Sequence, residues 1–225
     1  AMEADGDAYP DAWLMLAEAA RWTGDPETAA TAIGRALELN KSATTLLLAS
    51  KIRVAQGSSM LSGDDTKEAG SRIVSQGVSD AKAAIKALGN DKKNAVAQAD
   101  ANLQLAVGLL FLEKKDDAAK AYAEAMGWDP TQVDYNQLFG IFVDADKTSK
   151  PFVEALKSGG EKFNARWGEN SASDATLRWW LGYAEQSLGS YDDAIGSFQA
   201  AVAKYPAFSD SYWYIGKAQY NKGIE

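Results

Sequence analysis

A chain of 225 residues with neither histidine nor cysteine lacks the two side chains on which most protein chemistry at neutral pH depends. Without imidazole there is no ordinary general base, and without thiolate there is no cysteine nucleophile, no disulfide framework and no zinc–sulfur site. Carboxylate, lysine and tyrosine chemistry remain. The run Asp144-Ala145-Asp146-Lys147-Thr148 opens like a calcium loop. Ser149 stands where that loop requires glycine, however, and Ala155 where it requires a bidentate glutamate, so the run reads as a polar turn. Asn40-Lys41-Ser42 has the pattern of a glycosylation sequon, which matters only in a eukaryotic secretory pathway. No glycine-rich phosphate loop follows any segment. Neither an enzyme nor a cofactor or metal site is expected.

The charge balance limits the partners. With 23 basic and 31 acidic side chains the net charge is -8, which argues against a nucleic-acid backbone and for a neutral or basic partner. No run approaches the 18 or so apolar residues of a membrane span. Ala1-Met2 followed by the acidic stretch Glu3 to Asp7 is not a signal peptide. No targeting signal is expected, and the compartment stays open: cytoplasmic, or periplasmic if a signal was trimmed.

What the sequence does contain is an interval. Leu181-Gly182 returns 34 residues on as Ile215-Gly216, and Leu188-Gly189 as Lys222-Gly223. Between the copies come Tyr191, Ala194, Phe198, Ala201 and Pro206. Gly182 and Ala194 carry almost no side chain and let two helix axes approach closely. Leu181, Phe198 and Ala201 supply a buried stripe, Gly189 can take the left-handed conformation that closes the first helix, and Pro206 stops the second. A fixed interval of this length marks a helical repeat array, and the order of residues resembles the tetratricopeptide repeat. The resemblance implies an all-α fold, a right-handed α-solenoid of antiparallel helix pairs with about five and a half units.

Taken in order, residues 1–9 read as a disordered acidic lead and 10–225 as a single array. Its units are 10–43, 44–94 with an insertion at 57–78, 95–132, 133–174, 175–208 and a half unit, 209–225. Trp13, Leu16, Ala17 and Ala20 match the first-helix pattern, Gly24-Asp25-Pro26 makes the turn, and Ala29, Ile33 and Ala36 line the second helix. The second unit is roughly 18 residues longer than the repeat allows. Gly57-Ser58-Ser59 and Ser62-Gly63-Asp64-Asp65 are expected as loop, followed by one long helix from Thr66 to Leu88 weakened by Gly70 and Gly77. Such an insertion is either a functional loop or a plain surface extension. In the third unit Ala118, Tyr122, Ala125 and Pro130 keep the register, with Asn102 where an aromatic is usual. The fourth has a long second helix, Pro151 to Trp167, with Gly159-Gly160 inside it. Ending after one helix suggests a segment of something longer.

In this family the first helices line the concave face. Carrying that geometry over gives Leu14, Glu18 and Arg21; Leu48 and Ile52; Leu103, Val107 and Leu110; Gln137 and Ile141; Trp179 and Tyr183; and Trp213, Lys217 and Tyr220. The resemblance thus implies an interaction scaffold that holds a peptide or partner segment in an apolar, aromatic-rich groove, anchored by Trp179 and Trp213. The opposite expectation for the same residues is burial between repeats. Leu14, Glu18, Leu48 and Ile52 stand where carboxylate-clamp co-chaperones need Lys, Asn and Arg, so that activity is not expected. Asp11, Asp100, Asp134 and Asp210 recur at first-helix starts, either as an acidic rim or as complements to the helix dipole. Two other readings stay open: a small-molecule or lipid receptor closed by residues 57–78, and self-association through the C-terminal half unit, whose apolar face, with Trp213 and Ile215, wants a covering helix.

Overall fold

The computed structural model describes residues 9–143, 150–168 and 172–224. Among them are eleven α-helices and no strand, and the chain divides into two compact units, Ala1–Ala118 and Ala119–Glu225. The acidic lead, but for Tyr9, and the calcium-like run Asp144 to Thr148 fall outside the described residues.

In the first unit, α1 (Pro10–Thr23) and α2 (Pro26–Leu39) form a hairpin. Proline at the first position of each costs no hydrogen bond, because that N–H has no partner in a helix anyway. Gly24, at φ 74°, closes α1 in the left-handed conformation. Asp25 then caps α2, accepting from the Thr28 N–H at 3.0 Å, and its carboxyl is held below the usual carboxylate range by that backbone hydrogen bond. The seam is nearly all alanine: Ala17, Ala20, Ala29, Ala32 and Ala36 are buried around Ile33. Side chains this small let the two helices interlock closely.

The next two helices are long. α3 (Ala43–Met60) is capped by Ser42, and α4 (Lys67–Leu88) returns after a turn at 61–66. The expected loop at Gly57-Ser58-Ser59 is therefore helix, and the extra length of 57–78 is shared between the two arms of one hairpin. The reason lies in the glycines. A Cβ on Gly57 would come within 2.7 Å of the Gly70 carbonyl oxygen, one on Gly70 within 2.7 Å of that of Gly57, and one on Gly77 within 2.8 Å of Val54. Read as punctuation, these glycines are in fact what allows the backbones to touch, and the contact offsets their intrinsic cost of about 1 kcal/mol each in a helix.

A short 3-10 turn (Lys92–Asn94) leads to α5 (Ala95–Phe111), which packs on α4 with Gly108 against Val78. Asn102 is buried, and its amide donates to the Gln98 carbonyl at 2.8 Å. The Gln98 amide in turn donates to the Ile85 carbonyl at 3.0 Å and to that of Gly89. This amide pair satisfies the carbonyl end of α4 where an aromatic was the family's usual choice. Ion pairs from Lys51 to Asp100 (2.6 Å) and from Arg53 to Asp80 (2.5 Å) join α3 to its neighbours.

The unit boundary falls in α6 (Lys115–Trp128). The second unit continues through a 3-10 turn (Pro130–Gln132) to the short α7 (Tyr135–Phe142), which Asp134 caps by accepting from the Gln137 N–H at 3.0 Å. In α8 (Lys150–Trp167), Gly159 faces Met126 closely enough that a Cβ would stand 2.8 Å from it. The Trp167 indole donates to the Trp128 carbonyl at 3.1 Å, and the Arg166 guanidinium lies 3.8 Å over the Trp128 ring. Then follow α9 (Ala172–Ser187), α10 (Tyr191–Lys204) and α11 (Ser209–Ile224), each packed on the next. Here the repeat pattern holds residue by residue. Gly182 faces the Phe198 ring, Gly189 sits at φ 81°, and Ala194, Phe198 and Ala201 are fully buried.

Candidate functional site

The second unit carries a connected set of aromatic rings along its first helices. From α7, Phe139 meets Tyr183 edge-on with centroids 5.2 Å apart. On α9, Tyr183 stacks on Trp179 at 5.5 Å, and Trp180 stacks on Tyr135 at 5.5 Å. Tyr214 of α11 then contacts Trp179 (5.2 Å), Tyr183 (5.6 Å), Phe198 (5.4 Å) and its own neighbour Trp213 (4.7 Å). Phe208, just before α11, covers Trp179 at 6.1 Å. Edge-to-face and offset contacts of this kind contribute about 0.5–1.5 kcal/mol each beyond the area they bury. Burial first, and the nearby Tyr183 and Asp210 after it, push the Tyr214 hydroxyl above its ordinary range.

Within this set the expected site residues separate into two kinds. Trp179 and Tyr183 are partly buried inside the stack, and the Trp179 Nε1 is enclosed with no acceptor among the described residues. Trp213 and Tyr220 lie at the surface, 61 % and 68 % exposed. The Lys217 ammonium sits 5.1 Å over the Trp213 ring and 5.5 Å over that of Tyr214, a cation–π arrangement that holds the indole in one orientation. Ile141 is partly buried and Gln137 exposed on α7.

Leu103, Val107 and Leu110 belong to the first compact unit, partly buried along α5. So do Leu14, Glu18 and Arg21 on α1. There Glu18 accepts from Arg21 at 2.8 Å and from the Trp22 indole at 2.9 Å, and the Arg21 hydrogen bond pulls its carboxyl below the usual range. Leu48 and Ile52 are not groove residues: at 7 % and 3 % exposure they belong to the core formed with Ala17, Ile33 and Ala49. On this side α3 packs against the α1–α2 hairpin, so the side expected to face a partner faces protein. Of the aspartates at first-helix starts, Asp134 caps α7 and Asp100 is paired to Lys51.

Trp180, Phe208 and Tyr214 were not anticipated. A signal existed for two of them, because Tyr214 follows Trp180 by the same 34 residues that separate Trp213 from Trp179. Nearby, Glu185 is buried between helices: Ser197 of α10 donates to it at 2.6 Å, and Lys157 of α8 lies 3.2 Å away. Burial raises its carboxyl above the ordinary range despite those two partners.

Two cavities lie within single units. One of about 160 Å³ is lined by Leu156, Lys157, Asn164 and Arg178, and another of about 270 Å³ by Arg21, Asp25, Ile52 and Gln56. Both fall below the roughly 300–1,000 Å³ of ordinary small-molecule sites. Residues 57–78 form a packed hairpin, of which Ser59 lines the second cavity. No helix among the described residues is long and apolar enough to cross a membrane.

Comparison with known proteins gives one family. Residues 155–207 and 180–224 match the tetratricopeptide repeat model, the stretch in which glycine, phenylalanine and alanine keep their register. Among solved structures, a MamA protein is 17 % identical over 96 % of this chain and 83 % of its own, with a TM-score of 0.41. A thermophilic TPR protein of Thermus thermophilus is 16 % identical over 94 % of this chain and 99 % of its own, with a TM-score of 0.35. Likenesses this distant carry no function across. No curated protein matches.

Proposed function

The chain belongs to the tetratricopeptide repeat family, and on that premise we propose that it is a protein-interaction scaffold whose second unit holds a partner segment on the aromatic face of α9 and α11. Trp213 and Tyr220 are the anchors, Lys217 orients the first of them, and Trp179 and Tyr183 form the rigid floor. Ile141 of α7 extends the apolar lining within that unit. Leu103, Val107 and Leu110, on α5 of the first unit, form an apolar strip of their own. The observation that carries the reading is the exposure of Trp213, at the edge of the ring stack, and of Tyr220 further along α11. A large aromatic held rigid before binding loses little entropy on binding, which is why this residue type dominates interfaces. With a net charge of -8, the partner is neutral or basic, and a basic one arrives faster at low salt.

The test uses a defined probe. Random peptides displayed on phage are selected on the chain, and a selected sequence is synthesised and titrated calorimetrically. Trp213→Ala with Tyr220→Ala is expected to weaken binding by more than tenfold while helicity and melting temperature stay put. Equal binding by the double variant, with its fold intact, rejects this face as the site. Trp179 is left unchanged, because truncating it would damage the stack and confuse the result.

A further inference from the structure

The cavity of about 270 Å³ in the first unit is small for a whole ligand and has room for a single side chain of a partner. Its place follows from helix lengths. α1 and α2 have 14 residues each and α3 has 18, so the last turns of α3 run on beside the Gly24-Asp25-Pro26 turn and enclose the cavity with it. Gln56 and Ser59 form that wall, and Ser59 belongs to the extra residues 57–78. The floor is apolar, made by the buried Ala20, Ala29 and Ile52.

Charge around the cavity is one-sided. Arg21 lines it, but its Nε and one terminal nitrogen donate to the Glu18 carboxylate at 3.1 and 2.8 Å. Lys51, the other cation acting on Glu18, is paired to Asp100 at 2.6 Å. Asp25 has no such counterpart: its Oδ1 accepts from the Thr28 N–H at 3.0 Å, and it enters no ion pair among the described residues. That backbone hydrogen bond holds its carboxyl below the usual range, so it is ionised at neutral pH. The Ser59 hydroxyl donates to the Gln56 carbonyl at 2.7 Å and keeps lone pairs for a further donor. α1 and α3 both end here, with the negative ends of their dipoles, and the last turn of α3 holds no basic residue. The positive end of α2 is already met by Asp25 as its cap.

We propose that this cavity is a subsite for a lysine side chain of a partner segment, with its methylenes on the apolar floor and its ammonium at Asp25 beside Gln56 and Ser59. Lysine suits it better than arginine. With Oδ1 committed to Thr28, Asp25 offers one oxygen, which a compact ammonium with rotatable N–H groups can use and a planar two-pronged guanidinium cannot match. The cap also fixes the carboxylate in place before any guest arrives. This site lies wholly within the first unit and does not rest on the aromatic face of α9 and α11. It accords with a net charge of -8, and it gives the added length of α3 a use, as the wall of a pocket.

The test compares Nα-acetyl-lysine methylamide with its norleucine counterpart, which lacks only the ammonium. Each is titrated into the full chain at low salt and followed by amide nitrogen–proton correlation spectra. The lysine amide is expected to shift the Gly24, Ile52, Gln56 and Ser59 amides with a Kd of about 1–20 mM. It should bind about fivefold tighter than the norleucine amide and lose that advantage as salt screens the exposed carboxylate. Asn is as good an N-cap as Asp, so Asp25→Asn should keep the helicity and abolish the preference for lysine. Gln56→Glu, which adds a second carboxylate, should tighten lysine binding about threefold. No shift at these four amides, norleucine binding as tightly as lysine, or an arginine counterpart binding more tightly overturns the proposal. So does a preference that Asp25→Asn leaves in place or that Gln56→Glu does not raise.

Discussion

Gly182 and Gly216 occupy one position in successive repeats, yet the same substitution at the two should act with opposite sign. In Gly182→Ala the new Cβ lies 2.8 Å from the edge of the Phe198 ring and 3.0 Å from its Cγ. Phe198 is wholly buried beneath Trp179 and Tyr214, so the ring cannot move aside and α9 must be pushed off α10. Overpacking of that kind costs about 1–3 kcal/mol, against which the better helix propensity of alanine returns under about 1 kcal/mol. The net expectation is a loss of about 1–2 kcal/mol. In Gly216→Ala the Cβ enters open space, only the propensity gain remains, and the variant should be more stable by about 0.5–1 kcal/mol. Urea denaturation followed by circular dichroism reads both midpoints against wild type. Two shifts of the same sign and size would refute the reasoning, since they would mean that glycine acts here only through its backbone.

Three other outcomes follow from the packing. Gly70→Ala drives a methyl to 2.7 Å from the Gly57 carbonyl, a backbone atom with no rotamer to adjust, so a loss of about 2–3 kcal/mol is expected in the same denaturation assay. Trp179→Ala should lower stability by about 3–5 kcal/mol, because five rings lean on it, whereas Trp213→Ala should fall within about 0.5 kcal/mol of wild type, as exposed positions do. For Glu185, burial leads the causes that raise its folded-state pKa above the unfolded one. The folded chain therefore holds more proton between the two values, and this group's contribution to stability grows as pH falls through that window and is lost as pH rises above the folded value. Glu185→Gln keeps an acceptor for the Ser197 hydroxyl and should flatten that part of the melting-temperature profile from pH 4 to 8. At pH 8 it should be at least as stable as wild type, by up to about 1 kcal/mol.

The repeat was legible because its signal is spacing. Gly182, Ala194, Phe198, Ala201 and Pro206 must recur wherever one helix pair stacks on the next, and they lead directly to α9, α10 and α11. Other features were hidden because one residue type serves two purposes. Gly57 next to Ser58 and Ser59 has the composition of a turn, and only the reciprocal approach of Gly70 shows that it is a helix crossing. Leu48 and Ile52 have the positions of groove residues, but the packing of α3 against α1 and α2 assigns them to the core. Asn102 is a weak residue for an interior taken alone, and becomes satisfied only beside Gln98 at the end of α4. The division between Trp179 as support and Trp213 as exposed surface depends on which ring has Tyr214 and Phe208 above it. That is a fact of tertiary packing that the 34-residue interval states only as equivalence.

A partner seated on the outer face of α11 shields the side chains beneath it, and hydroxyl-radical labelling with and without a selected peptide reads that shielding residue by residue. The peptide is expected to protect Trp213 and Tyr220 and to leave Trp22, 74 % exposed in the other unit, labelled as before. Labelling of Trp213 and Tyr220 that is unchanged at peptide saturation would contradict it.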